Sequence, residues 1–117
     1  MRNSLRDLLR EGCAACKIGD HALDAECQLE LLKQLNSGWS INEAGHLCKE
    51  YRFKNFIQTI HFANQISTIA EKQFHHPKIT ISWGRCKIEI WTHKISALSE
   101  NDFILAAKIE AIKELQS

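Results

Sequence analysis

The spacing of apolar residues along this chain changes from a helical period to a strand period twice. Apolar residues follow the helical period over 25–36 and over 56–73. In the first stretch the apolar stripe is expected to be Leu29, Leu32 and Leu35, joined by Leu31. Strict alternation follows each stretch, over 39–54 and over 79–92, and a third helical stretch follows Ser99. Helices repeat every 3.6 residues and strands every two, so the pattern orders the elements. The sequence predicts an α+β domain, α-β-β-α-β-β-α, in which three main helices pack on one face of a four-stranded antiparallel sheet.

Short polar motifs mark the ends of these elements. Asp24 is a plausible N-cap for the first helix, and Gly38 ends it. Asn55-Phe56-Ile57-Gln58 resembles a capping box, and Ser99-Glu100-Asn101-Asp102 caps the last helix. Gly84-Arg85 is a candidate for a two-residue hairpin turn. These motifs support the predicted order of the elements.

Length and charge favour one ordinary globular domain. The 117 residues carry a net charge of +1, which gives no broad electrostatic surface for nucleic acid. No apolar run approaches the roughly 20 residues that a membrane span needs. The first residues lack the apolar region of a signal peptide, so a cytoplasmic protein is expected. We expect a peripheral N-terminal segment over 1–22 and a single domain over 23–117.

The five cysteines form an odd set without the spacing of a disulfide framework. Reduced thiols are therefore the expected state. Cys13, Cys16, His21 and Cys27 approach a zinc-knuckle spacing, which is the alternative. Because Cys27 falls inside the first turn of a predicted helix, zinc is not favoured here.

The histidine doublet His75-His76 directly follows the second predicted helix and precedes the only proline, Pro77. A residue before proline is pushed out of the α region, so the helix must unwind at the doublet. His93 closes the fourth predicted strand, which a tight hairpin returns towards this helix end. Imidazoles give and take protons near neutral pH, so three of them together indicate acid–base chemistry. Metal binding is less favoured because adjacent histidine side chains diverge.

Three further residues have two interpretations each. Asp102 is either the carboxylate of a capping box or a group that orients His93 or a substrate nitrogen. Glu71 lies one helical turn before His75, where it either bonds that imidazole or is solvated. Trp91 shares the strand parity of His93, so it either packs on the sheet or lines the same cleft.

Several of these motifs together resemble the pterin-4a-carbinolamine dehydratase family. The strongest are Glu71-Lys72-Gln73-Phe74-His75-His76-Pro77, Trp91-Thr92-His93 and Leu98-Ser99-x-x-Asp102. The similarity extends to Trp39 and to Tyr51-Arg52-Phe53-Lys54-Asn55-Phe56. Cys13-x-x-Cys16 is similar to the bacterial branch that accompanies phenylalanine hydroxylase. The resemblance covers about residues 13–112.

This resemblance implies a hydro-lyase, a 4a-hydroxytetrahydrobiopterin dehydratase that yields quinonoid dihydropterin and recycles the pterin after aromatic amino acid hydroxylation. It implies no metal and no organic cofactor, because the pterin is the substrate. It also implies a homodimer or homotetramer with a functional link to phenylalanine hydroxylase. The net charge of +1 and the lack of a long apolar run predict no direct nucleic-acid or membrane contact. Two alternatives remain open: a dimerisation cofactor for a transcription factor, and a dehydratase-like protein acting on another pterin, as in the molybdenum cofactor pathway.

The resemblance also implies roles for individual residues. The catalytic imidazoles are His75, His76 and His93. The substrate-binding residues are His75, His76, Pro77, Thr92, His93, Lys94 and Ile95. Glu71 and Asp102 support the site, and Phe74 and Trp91 are candidates for the pocket lining.

Overall fold

A computed structural model describes residues 22–35 and 38–116 of the chain, which form three α-helices and four strands. In chain order the elements are α1 (Ala25–Gln34), β1 (Ser40–Ile41), β2 (Leu47–Arg52), α2 (Phe56–Gln73), β3 (Lys78–Ser82), β4 (Arg85–Ile90), a 3₁₀ turn (His93–Ile95) and α3 (Glu100–Gln116). The predicted α+β class and element order are confirmed. Across the described ranges, none of the helices is long and apolar enough to cross a membrane.

The four strands form one antiparallel sheet in the order β1-β2-β4-β3. Pairing of β2 with β4 joins the two hairpins, and its register runs from Leu47 opposite Ile90 to Arg52 opposite Arg85. The predicted turn at Gly84-Arg85 is wrong by one residue. Ser82 pairs with Arg85, so Trp83 and Gly84 form the turn, and Gly84 supplies the positive φ of 72°.

One face of the sheet forms the core together with all three helices. The buried apolar residues of β2 and β4 on this face are Leu47, Tyr51, Cys86, Ile88 and Ile90. Leu29 was expected on the apolar stripe of α1, but it is 57% exposed. The stripe is instead Leu31 and Leu35, and Leu29 lies about 200° around the helix from Leu31. The opposite face of the sheet has no helix from the described part of the chain and is largely polar.

Some predictions about the N-terminal part lie outside the described residues, including those on Cys13, Cys16 and His21. Cys27 lies in the first turn of α1, as predicted. The backbone N–H of Cys27 donates a hydrogen bond to Asp24 Oδ1 at 2.8 Å. Cys27 is disulfide-bonded, so the expected reduced thiol is wrong at this position. Sequence spacing does not show which cysteine side chains come within bonding reach. Cys48 and Cys86 are free thiols.

A buried polar cluster ties the sheet to α3. Lys49 Nζ donates a hydrogen bond to Glu110 Oε1 at 3.0 Å, and the Tyr51 hydroxyl donates to the same oxygen. Burial and the neighbouring Glu110 carboxylate raise the pKa of Tyr51 well above its ordinary value. The Tyr51 phenol therefore stays protonated and keeps donating to Glu110 through the physiological range.

Replacing Tyr51 by phenylalanine is expected to lower the free energy of unfolding by about 1–2 kcal/mol, because the buried Glu110 carboxylate loses one donor. Urea denaturation followed by circular dichroism measures the change. Ser82→Ala, on the exposed end of β3, is the control and should leave the midpoint unchanged. An unaltered midpoint for Tyr51→Phe would show that this bond adds nothing to stability.

Candidate active site

The first wall of the candidate site is the C-terminal end of α2. Phe74 caps this helix in the left-handed conformation with φ 61°, and the His75 N–H donates to Ala70 O at 3.0 Å. His75 and His76 then leave the helix in an irregular segment before Pro77. The histidine doublet lies where the helix unwinds, as the proline predicted.

The second wall begins where β4 ends at Ile90. Thr92 and Ala97 pair with each other, with Thr92 N–H donating to Ala97 O at 2.9 Å. The chain between them forms the 3₁₀ turn, and His93 is its first residue. The prediction that His93 closes a strand is therefore wrong, because the strand ends earlier and a tight loop follows it.

A cleft of about 580 Å³ separates these walls, and the imidazoles of His75, His76 and His93 line it. Its lining residues are Gln73, Phe74, His75, His76, Trp91, Thr92, His93, Lys94 and Asn101. Two residues that the resemblance placed in contact with substrate, Pro77 and Ile95, are not in this lining. Gln73 and Asn101 are in it and were not predicted. Gln73 Nε2 donates to Asn101 O at 3.1 Å, a contact that depends on how α2 and α3 approach and has no sequence signal.

Asp102 is fully buried and orients His75. Its Oδ1 lies 2.5 Å from His75 Nε2, and its Oδ2 accepts hydrogen bonds from Thr92 Oγ1 at 2.8 Å and Ser99 N–H at 2.7 Å. An ionised carboxylate only accepts, so His75 Nε2 is the donor and Nδ1 is left for a ligand. Asp102 is thus both the capping carboxylate and an orienting group, and the imidazole that it orients is His75 rather than His93.

Glu71 pairs with the other member of the doublet. Its Oε2 lies 2.7 Å from His76 Nε2, so of the two interpretations of Glu71 the bond to His75 is wrong. The reason is that the His75 imidazole is already directed at Asp102 on α3. The side chains of His76 and Glu71 are 55% and 73% exposed, so solvent screens this pair and it adds little stability.

No group of three or more histidine, cysteine or acidic side chains is arranged to hold a metal ion in the described ranges. The two adjacent histidines bond to different carboxylates, on α2 and on α3. Of the four candidate ligands of the zinc alternative, Cys27 is described and is disulfide-bonded, whereas Cys13, Cys16 and His21 lie outside the described residues.

Trp91 both lines the cleft and stacks on neighbouring rings. Its indole is parallel to the His93 imidazole, with ring centroids 4.4 Å apart, and to the His46 imidazole, with centroids 3.9 Å apart. His46 Nδ1 lies 2.5 Å from Glu89 Oε2, which also accepts from Asn42 Nδ2 at 3.1 Å. Sequence reasoning missed His46, because it lies in the turn before β2 and approaches Trp91 only through the pairing of β2 with β4.

The hydrogen bond from His46 holds the pKa of Glu89 below its ordinary value of 4.5, although partial burial opposes this. A carboxyl with a lowered pKa in the folded protein contributes stability above its unfolded pKa and loses it as the pH falls. Glu89→Gln should therefore lower the free energy of unfolding at pH 6, and the difference from wild type should shrink as the pH falls through the lowered pKa. Urea unfolding of both proteins at pH 6 and at pH 3 measures this difference in the free energy of unfolding.

Glu43→Gln, at an exposed carboxylate in the turn before β2, is the matched control for this pH dependence. A Glu89→Gln difference that stays constant from pH 6 to pH 3 would contradict the assignment.

Comparison with known proteins decides the family of this fold and cleft. Residues 21–112 match the family model described as pterin 4 alpha carbinolamine dehydratase. The chain belongs to this family. A candidate pterin-4-alpha-carbinolamine dehydratase from Rickettsia canadensis (strain McKiel) is 51% identical over 104 residues, covering 89% of this chain and 95% of the relative. Another, from Alkaliphilus metalliredigens (strain QYMF), is 38% identical and covers 91% of this chain and 96% of the relative.

A solved structure agrees with the family assignment. The crystal structure of a transcriptional coactivator/pterin dehydratase from Brucella melitensis superposes with a TM-score of 0.74 at 28% sequence identity. The match covers 79% of this chain and 98% of the Brucella chain. The family is one of hydro-lyases, and its fold is the α+β arrangement described above.

Proposed function

We propose that this chain eliminates water from 4a-hydroxytetrahydrobiopterin to give quinonoid dihydropterin. The observation that supports this best is the set of three imidazoles lining one cleft in a member of this family. The cleft volume of about 580 Å³ suits a small heterocyclic ligand. The Trp91 indole in the lining gives a flat pterin an aromatic neighbour.

The proposed reaction moves two protons and breaks one bond between heavy atoms. The bond from C4a to the hydroxyl oxygen breaks while that oxygen gains a proton and leaves as water. N5 loses its proton as the double bond between C4a and N5 forms. One acid and one base are sufficient, and each contributes about 10²–10⁴-fold. This chemistry needs neither a metal nor an organic cofactor.

We assign the acid role to His75 and His93, which donate to the leaving hydroxyl. His75 lines the cleft, and the buried Asp102 carboxylate holds its ring through Nε2, which leaves Nδ1 for the substrate. His76 binds the pterin or accepts the N5 proton. Its exposed position beside Glu71 suits a group that returns a proton to solvent.

The wider role that we propose is recycling of the pterin cofactor after phenylalanine hydroxylation, in the cytoplasm. A homodimer or homotetramer is part of this proposal. The bacterial origin of the similar Rickettsia and Alkaliphilus chains supports the bacterial branch of the family. Another pterin, such as one of the molybdenum cofactor pathway, is the alternative substrate.

A second candidate function is binding to a transcription factor. The Brucella protein is named both a coactivator and a pterin dehydratase, which is the observation that favours it. The two functions differ in what they need from the cleft. A dehydratase depends on its imidazoles, whereas a dimerisation cofactor does not.

The deciding experiment generates 4a-hydroxytetrahydrobiopterin in the cuvette and follows its loss by absorbance with and without the protein. Faster loss with protein is expected. Loss at the buffer rate would refute the dehydratase proposal for this pterin. Repeating the assay with pterins that carry other side chains at C6 tests the alternative substrates.

A further inference from the structure

Three aromatic rings form a continuous stack on the polar face of the sheet: His46, Trp91 and His93. The planes of both imidazoles lie within 6° of the indole plane, and both centroids lie within 4.4 Å of the indole centroid. If both imidazoles lay on the same face of the indole at these distances, their own rings would overlap. His46 and His93 therefore lie on opposite faces of Trp91, and only His93 and Trp91 line the cleft.

The His46 end of this stack is fixed by hydrogen bonds. Glu89 holds the His46 ring through Nδ1 at 2.5 Å, and Asn42 Nδ2 holds the same carboxylate oxygen at 3.1 Å. Asn42 Oδ1 also accepts from the backbone N–H groups of Ala44 at 3.0 Å and His46 at 2.9 Å. Both the backbone and the ring of His46 are thus held in place, and its side chain is only 18% exposed.

The His93 end is held differently. His93 is an exposed residue at the start of a 3₁₀ turn, and the interaction that the structure shows for its ring is the stack on Trp91. An exposed imidazole would otherwise exchange among its rotamers. The orientation of His93 therefore depends on the indole, and the indole is supported on its far face by the fixed ring of His46.

We propose that His46 is a positioning residue of the dehydratase site, which orients His93 through Trp91. This inference rests on the proposed function for its effect on turnover, but the stack itself can be tested without substrate. His46 does not line the cleft, so it acts on the reaction without touching the pterin. Its contribution is the planar contact with the indole, and the Glu89 bond serves to hold that contact.

Kinetics of His46 variants test this role. Removing one aromatic stacking contact should lower kcat by about two- to tenfold in His46→Ala, with KM changed less than about twofold. His46→Phe keeps a flat ring and loses Nδ1, so it should recover most of kcat. His61→Ala, at an exposed histidine of α2 outside the cleft, is the control. Wild-type kcat in His46→Ala, or a Phe variant no better than the Ala variant, would overturn the proposal.

Nuclear magnetic resonance of the substrate-free protein tests the stack directly. Ring current from the indole should displace the Cε1–H signal of His93 upfield in the wild type. His46→Ala should reduce that displacement, and His46→Phe should retain it. An unchanged His93 signal in His46→Ala would overturn the proposal, even if kcat fell. If the wild type failed to accelerate pterin dehydration, the proposed function would fall, and the His93 signal would still decide whether His46 orients His93.

Discussion

Replacement of His75 by alanine is expected to lower kcat/KM for pterin dehydration by about 10²–10⁴-fold, the usual contribution of one positioned acid or base. His75 is the imidazole that the structure orients most firmly, because its Nε2 bonds the fully buried Asp102 and its ring lines the cleft. His93→Ala should lower kcat/KM as well, because its imidazole lines the opposite wall. Initial rates of loss of 4a-hydroxytetrahydrobiopterin measure both effects.

His61→Ala serves as the control for both histidine variants, since it removes an exposed imidazole from α2 that lies outside the cleft. It should keep wild-type rates. Full activity in both His75→Ala and His93→Ala would show that the assigned proton donors are wrong, even if the wild type is a dehydratase.

Replacement of Asp102 by alanine is expected to lower both stability and activity. The free energy of unfolding should fall by about 3 kcal/mol, because the buried Thr92 hydroxyl and Ser99 N–H lose their acceptor and a cavity remains. Activity should fall with it, because His75 loses the carboxylate that fixes the orientation of its ring. Urea denaturation gives the first quantity, and the dehydration assay gives the second.

Asp102→Asn separates these two effects. An asparagine keeps the volume and one acceptor oxygen, so much of the stability should be retained, whereas the negative charge beside His75 is lost. We expect this variant to be closer to wild type in unfolding than Asp102→Ala but to remain impaired in turnover. Wild-type turnover in Asp102→Asn would show that the carboxylate charge plays no part in the reaction.

The elements of this fold were predictable where strong local signals coincide. Both ends of α2 match the prediction, because Asn55 accepts from the Gln58 N–H at its start and Pro77 follows closely after its end. The order of strands within the sheet was not predictable, since alternation alone does not tell which strands become neighbours. The exposure of Leu29 was missed for a related reason: two apolar stripes can be drawn on α1, and only packing selects one.

The candidate site was predictable to the extent that it lies in motifs close along the chain. His75, His76 and His93 line one cleft, as their positions around a helix end and a hairpin suggested. Which carboxylate bonds which imidazole was not predictable: the sequence suggested His93 for Asp102 and His75 for Glu71, and only the packing of α2 against α3 brings Asp102 to His75. His46 had no signal in the sequence.

The most direct test of the central proposal is the first-order rate constant for loss of 4a-hydroxytetrahydrobiopterin, measured as the protein concentration is raised at constant pH. A linear rise above the buffer rate is expected for the wild type, and a nearly flat line for the folded His75→Ala/His93→Ala double variant. A wild-type line as flat as that of the double variant would contradict the proposal that these imidazoles dehydrate a pterin.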